Sequence, residues 1–167
     1  MYNELTESDI RKMQEEIDQR KLVIRKELLE AVKDARAQGD LSENFEYYAA
    51  KREKNRNESR IRYLDRMIRT AVVISEQSEA DCVGLNNTVE RYFEEEGITE
   101  QHRIVTTVRG NSLKGLISNV SPLGKAVMGG KVGDRIYVEI APGRGYHVVI
   151  KSIDKTSGDE DDKIRGF

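Results

Sequence analysis

The stretch that decides the fold is Ala35-Arg-Ala-Gln-Gly-Asp-Leu-Ser-Glu-Asn-Phe-Glu-Tyr-Tyr-Ala-Ala-Lys-Arg-Glu53. It contains Gly39, the only glycine between Ser8 and Ala71, and that interval has no proline. Glycine readily adopts the left-handed backbone that ends a helix, so a single glycine in a long segment without proline is typical of a break between two helices. The stretch therefore predicts a short turn between two long helices.

Apolar residues recur at helical spacing on both sides of this turn. After the turn, the pattern is clear only in the second half of the run from about Ser42 to Ala71. The residues that form the pattern are Ile10, Met13, Ile17, Ile24, Leu28, Ala31 and Ala35 before the turn, and Ile61, Leu64, Ile68 and Ala71 after it. Two amphipathic helices joined by a short break predict an antiparallel hairpin. We expect arms of roughly 28 residues, about 42 Å long each, with Thr6 or Ser8 as the N-cap of the first helix and Gly39-Asp40-Leu41 at the tip.

From Val72 onward the pattern changes to short β-strands separated by turns that contain glycine. The predicted strands are 83–85, 88–93, 103–108, 134–141 and 146–153. Between them, Ser121 and Pro122 are suited to be the N-cap and first residue of a short helix, which Gly129-Gly130 ends. The pattern predicts a small antiparallel sheet with one packed helix, and the whole chain is therefore a two-domain α+β protein.

The domain boundaries follow from these changes in pattern. We expect the helical hairpin in residues 1–75, the sheet domain in residues 76–157, and an acidic tail in residues 158–167. The run Asp159-Glu-Asp-Asp162 predicts that this tail is disordered. We also expect the hairpin and a piece such as residues 80–155 to fold independently.

Composition excludes several classes of protein. The chain has 167 residues, of which 35% are charged, and a formal net charge of −2, which argues against non-specific binding to duplex nucleic acid. Cys82 is the only cysteine, so an internal disulfide or a cysteine-based zinc cluster is excluded. Residues 1–9 have neither a basic start nor an apolar run, and no apolar stretch is long enough to cross a membrane. We expect a monomeric protein of the cytoplasm that makes no membrane contact.

Two carboxylates stand out in the turn. Asp40 and Glu43 are three residues apart at the start of the second helix, so both side chains can point away from its end. A pair of carboxylates is a hard oxygen site suited to Mg²⁺, although two such ligands alone would hold the ion weakly. The alternative is a capping box, with Asp40 as N-cap and Glu43 three residues later, and on spacing alone this structural explanation is sufficient.

The sequence of the turn closely resembles the coiled-coil tip of the GreA/GreB family of transcript-cleavage factors. Further similarity follows in the same order along the chain, at residues 60–64, 71–74 and 117–126, and the resemblance extends from Leu5 to Ile153. It is weaker between Asn86 and Ser112. Leu41 and the slightly acidic overall charge are more similar to the GreA branch than to the GreB branch.

The resemblance implies a fold and a mechanism. It implies an antiparallel coiled-coil hairpin followed by an FKBP-like sheet domain that docks on bacterial RNA polymerase. The tip would enter the secondary channel and meet the 3′ end of backtracked nascent RNA. Asp40 and Glu43 would act there in trans, as catalytic ligands that help to hold the second Mg²⁺ of the polymerase. Ser42, Asn44 and Glu46 would support the tip, and the chain alone would bind no cofactor stably.

Other contacts are expected on the second arm and in the sheet domain. Tyr47, Lys51 and Arg52 are candidates for contact with RNA or with the channel wall, but a solvated helix explains the cations equally well, and the tyrosine can instead pack across the hairpin. Ser121, Pro122 and Leu123 are candidates for polymerase docking. The alternative for these three is a helix that only covers the sheet.

Three functions remain in view. The first is a cofactor, not itself an enzyme, that stimulates RNA cleavage by the polymerase and so rescues arrested complexes. The second is a regulator or inhibitor that occupies the same channel without promoting cleavage. The third is an FKBP-like prolyl isomerase or a coiled-coil adaptor. The spacing of the two carboxylates favours the first function, and the scarcity of aromatic residues in the sheet domain argues against an isomerase.

Overall fold

The computed structural model describes residues 4–39, 44–156, 158 and 160–166. These residues form two compact units. The hairpin unit contains residues 10–72, and the sheet unit contains residues 4–9 together with the described residues from 73 onward. Asp40, Leu41, Ser42 and Glu43 lie outside the described residues, so their predicted roles stay predictions. Among the described residues, no helix is both long enough and apolar enough to cross a membrane.

Three helical segments and a π segment form the two arms of the predicted hairpin. The first arm consists of α1 (Glu7–Gln19), a π segment (Arg20–Ile24) and α2 (Arg25–Ala37). The second arm is α3 (Phe45–Arg69), whose 25 residues extend for about 37 Å. The predicted hairpin is confirmed, with two corrections. The first arm is not an uninterrupted α-helix, and the second begins at Phe45 rather than near Ser42.

Burial in the hairpin unit follows only part of the predicted apolar seam, because Ala31 is exposed and Met67, which was not predicted, is buried. The fully or nearly buried apolar residues are Met13 and Ile17 on α1 and Ile61, Leu64 and Met67 on α3. Towards the tip, only Ala35 and Tyr47 are buried among the described apolar residues. Since little apolar surface is buried in that half, polar contacts between the arms must supply much of its stability.

The sheet unit contains a five-stranded sheet, and the chain also has a separate pair of short strands. The pair is β1 (Glu4–Leu5) with β2 (Val72–Val73). The larger sheet contains β3 (Thr88–Phe93), β4 (Ile98–Val105), β5 (Leu116–Ser118), β6 (Arg135–Ala141) and β7 (Arg144–Asp154), in the order β5-β4-β3-β7-β6. All neighbouring strands are antiparallel except β4 and β5, which are parallel. The sheet is therefore mixed, not purely antiparallel as predicted.

The short helix α4 (Pro122–Val127) covers one face of this sheet. Ser121 is its N-cap, because the side-chain Oγ accepts a hydrogen bond from the Gly124 N–H at 3.1 Å. Its Val127 belongs to the core cluster, together with Val83, Val89, Phe93, Ile104, Val138, Val148 and Ile150. Residues 83–85 were predicted as a strand, and this is wrong. They are buried at Val83 and Leu85 but form no ladder, so their apolar character reflects burial without strand pairing.

The N-terminal end of α1 is held by a capping box. The Asp9 N–H donates to the Thr6 Oγ1 at 3.1 Å, and the Thr6 N–H donates back to the Asp9 Oδ2 at 3.0 Å. Thr6 is therefore the N-cap, one of the two residues predicted for that position. The same carboxylate oxygen also accepts a hydrogen bond of 2.7 Å from the Thr106 hydroxyl.

Asp9 is also the nearest partner of a buried arginine. The Arg109 Nε lies 2.7 Å from the Asp9 Oδ1, and neither side chain has any exposed surface. Two further carboxylates approach this guanidinium, Asp162 at 3.2 Å and Glu76 at 3.6 Å. Arg109 thus sits among three carboxylates that come from distant parts of the chain. Such a charge needs these partners, because burying it alone would cost several kcal/mol.

The chain after residue 157 differs from the disordered tail that was expected. Asp162 pairs with both Arg103 and Arg109, and its side chain is almost fully buried. The Arg165 N–H donates to the Val108 carbonyl at 2.8 Å. The physical reason is the demand of two arginines for a counter-charge. A piece such as residues 80–155 would contain Arg109 without Asp9, Glu76 or Asp162, and its independent folding stays a prediction.

We expect Asp9→Ala to lower the free energy of unfolding of the sheet unit by about 3 kcal/mol, because Arg109 loses its nearest counter-charge while it stays buried. Equilibrium urea unfolding, followed through hydrogen exchange of the β3 and β7 amides, measures this loss. Asp65→Ala is the control, since Asp65 forms an exposed ion pair with Arg69, and it should cost less than about 0.5 kcal/mol. Equal, small losses in both variants would show that Asp162 and Glu76 alone neutralise Arg109.

Candidate functional site

Asn44 begins the second arm next to the predicted catalytic residues. Its side-chain Oδ1 accepts a hydrogen bond from the Tyr47 N–H at 3.0 Å, which makes Asn44 the N-cap of α3. Its Nδ2 donates to the Ala35 carbonyl on α2 at 2.6 Å. One side chain therefore caps the second arm and ties it to the first. Because α3 begins at Phe45 and has its own cap, the capping box proposed for Asp40 and Glu43 is not needed to start this helix.

Tyr47 faces the first arm. Its side chain is only 9% exposed, the Arg36 guanidinium lies 5.6 Å from its ring centroid, and the Arg36 Nη2 donates to its hydroxyl at 3.4 Å. That hydrogen bond lowers the pKa of the Tyr47 hydroxyl. Tyr47 therefore packs across the hairpin, which is the alternative considered for it, and its contact with RNA or the channel wall stays a prediction. Tyr48 makes an edge contact with the Tyr47 ring at 5.5 Å and is 48% exposed.

The remaining predicted residues of the second arm lie on its surface. Glu46 is in the first turn of α3, and Lys51 and Arg52 follow on the same helix; all three are exposed. Their roles as tip support and as contacts for RNA or the channel stay predictions. Sequence reasoning missed Phe45, the first residue of α3, whose side chain is 86% exposed. The available signal was an aromatic residue in a polar turn, outside the apolar seam.

Polar side chains lock the arms together further from the tip. Glu16 on α1 accepts hydrogen bonds from the Arg60 Nε at 2.8 Å and from the Arg20 Nε at 2.9 Å. Arg20 also donates to the Asn57 Oδ1 at 3.0 Å. Burial of the Glu16 carboxyl raises its pKa, but the hydrogen bonds from the two arginines outweigh burial and hold that pKa below its ordinary value. These contacts fix which residues of the arms face one another.

The π segment also contributes to the polar contacts between the two arms. The Arg25 N–H donates to the Arg20 carbonyl, five residues earlier, which is the hydrogen-bond pattern of a π-helix. The Asn57 side-chain amide donates to that same carbonyl at 3.3 Å. One step closer to the tip, Arg25 forms a two-pronged ion pair with Glu58, with distances of 2.7 and 2.9 Å. Since bidentate ion pairs of this kind are directional, they set the register of the hairpin as well as its stability.

The three residues predicted for polymerase docking have different environments. Ser121 uses its hydroxyl to cap α4 and to donate to the Ser118 carbonyl at 2.6 Å. Leu123 packs on the core cluster, whereas Pro122 is exposed. The helix does cover the sheet, but this does not decide between the two alternatives, because the outer side of α4 also carries the exposed Lys125. Docking stays a prediction.

Comparison with known proteins identifies the class that these two units define. Residues 3–73 match the family model described as transcription elongation factor, N-terminal, and residues 77–155 match the one described as transcription elongation factor, GreA/GreB, C-term. The class is therefore that of the transcription elongation factors.

Individual relatives agree over most of the chain. It is 39% identical to the transcription elongation factor GreA of Bacillus licheniformis over 148 residues, covering 88% of this chain and 94% of that protein. It is 41% identical to GreA of Geobacillus kaustophilus over 140 residues, covering 83% and 89%. A crystal structure of GreA factor homolog 1 (Gfh1) of Thermus thermophilus has 24% identity, covers 92% of this chain and 99% of that one, and gives a TM-score of 0.42. The chain belongs to the GreA/GreB family of transcription elongation factors.

The contacts of Glu16 with Arg60 and Arg20 predict that stability depends on pH. The folded-state pKa of Glu16 lies below its ordinary value of 4.5, so its contribution is present above the unfolded-state pKa and is lost as the pH falls through the folded-state pKa. We expect Glu16→Gln to be less stable than the parent near neutral pH and to approach the stability of the parent at an acidic pH below the folded-state pKa.

Urea unfolding of both proteins at the two pH values checks this expectation. Glu53→Gln is the control, because Glu53 makes an exposed pair with Arg56 and its removal should have almost no effect at either pH. A stability difference between Glu16→Gln and the parent that does not change with pH would contradict an ionic role for Glu16.

Proposed function

We propose that this chain stimulates Mg²⁺-dependent cleavage of backtracked nascent RNA by bacterial RNA polymerase and thereby returns arrested complexes to elongation. The observation that carries the proposal is the position of Asp40 and Glu43 in a GreA/GreB chain, in the segment that joins the end of α2 to the start of α3. The chain is a cofactor in this proposal, and the bond-breaking chemistry belongs to the polymerase.

The donor chemistry of the tip fits a shared magnesium ion. Asp40 and Glu43 supply carboxylate oxygens, which Mg²⁺ prefers, and the sequence of the turn has no histidine or cysteine that would favour a softer metal. When bound between the polymerase and the tip, Mg²⁺ would polarise the scissile phosphate and a water molecule. The chain's own part is to bring two negative charges to that place. Because Asn44 caps α3, the start of this helix requires neither carboxylate.

The ion pairs and hydrogen bonds between the two arms support the placement of the tip. Cleavage requires the carboxylates to stand at a fixed position, since a displacement of about 1 Å can cost roughly a hundredfold in rate. The Glu16–Arg60 contact and the Arg25–Glu58 ion pair hold the register of the arms, and the hydrogen bond from Asn44 to the Ala35 carbonyl ties the start of α3 to α2. These contacts thus fix the register of the two arms as far as Ala35 and Asn44.

The sheet unit is assigned to docking in this proposal. The residues proposed for docking are Ser121, Pro122 and Leu123 at the start of α4, together with the exposed Lys125 on the same helix. This division assigns binding to the sheet unit and cleavage to the tip. Substitutions in the tip should therefore change the cleavage rate and leave polymerase affinity close to that of the parent.

We expect Asp40→Asn and Glu43→Gln each to reduce stimulated RNA cleavage by about a hundredfold or more, because an amide is a much poorer Mg²⁺ ligand than a carboxylate. Purified protein is added to stalled, backtracked elongation complexes, and the shortened RNA is measured over time. Raising the Mg²⁺ concentration should restore part of the rate. Helix content should stay unchanged, since Asn44 caps α3.

Asp34→Asn is the matched control, because it neutralises an exposed carboxylate on α2 outside the turn, and it should cleave like the parent. Two outcomes oppose the proposal. Tip variants that cleave normally would mean that the carboxylates have no catalytic role. A parent protein that binds the polymerase but leaves the RNA intact would assign the chain to the alternative function, a secondary-channel regulator that does not promote cleavage.

A further inference from the structure

Two aromatic side chains next to the tip point into solvent. Phe45 is 86% exposed and Tyr48 is 48% exposed. Residues three positions apart on a helix are neighbours on one face, so the two rings lie side by side at the start of α3. Tyr47, between them in sequence, is buried against Arg36, and its ring meets the edge of the Tyr48 ring. Two aromatic rings exposed together on one helix face gain no folding energy and offer an apolar surface to a ligand.

The backbone that carries these rings is well fixed. Phe45 is the first residue of α3, and the Asn44 cap and its hydrogen bond to the Ala35 carbonyl define where the helix starts. The Tyr48 ring is oriented by its edge contact with Tyr47. A ligand that stacks on the rings would therefore meet a surface that is already in place, and it would lose little energy to ordering.

Two arginines continue the same face away from the tip. Arg52 and Arg56 follow Tyr48 at successive intervals of four residues, and both are exposed. Arg56 is paired with Glu53, but that pair is open to solvent, with both side chains more than half exposed. The face thus presents two aromatic rings near the tip, followed by two guanidinium groups. We call these four residues, Phe45, Tyr48, Arg52 and Arg56, the aromatic-cation face.

The chemistry of the aromatic-cation face fits single-stranded nucleic acid. A nucleobase stacks on an aromatic ring whatever its sequence, and the phosphates that follow it are attracted to guanidinium groups. A buried apolar side chain of a protein partner would use the rings but would leave the arginines without a role. We propose that Phe45 and Tyr48 form a stacking site for an unpaired nucleobase of RNA, with Arg52 and Arg56 contacting the phosphates that lead to it.

This inference rests on the proposed function, because the RNA concerned is the displaced 3′ end of the transcript. It adds a substrate-holding site that is close to the two carboxylates in sequence. It also predicts that the response depends on the sequence of the RNA. Purines offer a larger stacking surface than pyrimidines. Backtracked transcripts with an unpaired purine at the site should therefore respond to the protein at lower concentrations than transcripts with uridine there.

The test compares Phe45→Ala, Phe45→Leu and Phe45→Tyr in RNA cleavage on stalled, backtracked complexes that carry either adenosine or uridine in the unpaired 3′ segment. We expect Ala and Leu to lower the cleavage rate at limiting protein by about tenfold with adenosine and by about twofold with uridine, and Tyr to behave like the parent. Tyr137→Ala is the matched control, since Tyr137 is 47% exposed in the sheet unit, and it should change nothing.

A second measurement places the base directly. Transcripts with 4-thiouridine in the unpaired segment are irradiated in the presence of parent or Phe45→Ala protein, and the crosslinked peptide is identified. Crosslinking to residues 45–52 that weakens in the variant supports the stacking site. Normal activity of Phe45→Leu with loss in Phe45→Ala would instead assign Phe45 to an apolar protein contact, and normal activity of all variants would overturn the inference. A parent that cleaves no RNA would refute the proposed function, and a retained crosslink would then still support the stacking site.

Discussion

The buried positive charge of Arg109 is the constraint on which the sheet unit depends. A guanidinium without exposed surface must be neutralised inside the protein, and the chain meets this demand with carboxylates from three separate places, Asp9, Glu76 and Asp162. The sheet unit is consequently not a continuous piece of sequence. Residues 4–9 belong to it, residues 10–72 form the hairpin unit, and the described residues from 73 onward, Asp162 among them, belong to the sheet unit again.

The parts of the fold that sequence alone predicted are those decided over short distances. Thr6 and Ser121 were correct cap candidates because a cap depends on the next three residues, and the long helices follow from spacing and the absence of proline. The Asp9–Arg109 contact joins residues 100 positions apart, and no local pattern indicates it. The same limit applies to the tail, because an acidic run looks identical whether it is solvated or bound to arginines. β5 was missed since three residues are too few to show alternation.

The candidate functional site was likewise predicted only in part from the sequence. Asp40, Ser42 and Asn44 are all good helix caps, so sequence could not select the one that starts α3, and the structure assigns that role to Asn44. The helical periodicity could have shown that Tyr47 and Tyr48 lie on different sides of α3. Tyr47 lies about four turns before Ile61 and so falls on the seam side, whereas Tyr48 does not. This signal was overlooked because the intervening helix is polar. The roles of Asp40 and Glu43 still rest on family membership and donor chemistry.

The π segment has a consequence for the length of the hairpin. Between the Glu16–Arg60 contact and the Ala35–Asn44 hydrogen bond, the first arm contains three more residues than the second. Two straight α-helices of such unequal contour could not keep both contacts without strain. A π turn is wider and advances less along the axis for each residue, so the segment Arg20–Ile24 takes up part of the surplus. A one-residue insertion or deletion in the first arm can therefore be absorbed there by exchange between π and α turns, leaving the reach and rotation of the far end unchanged.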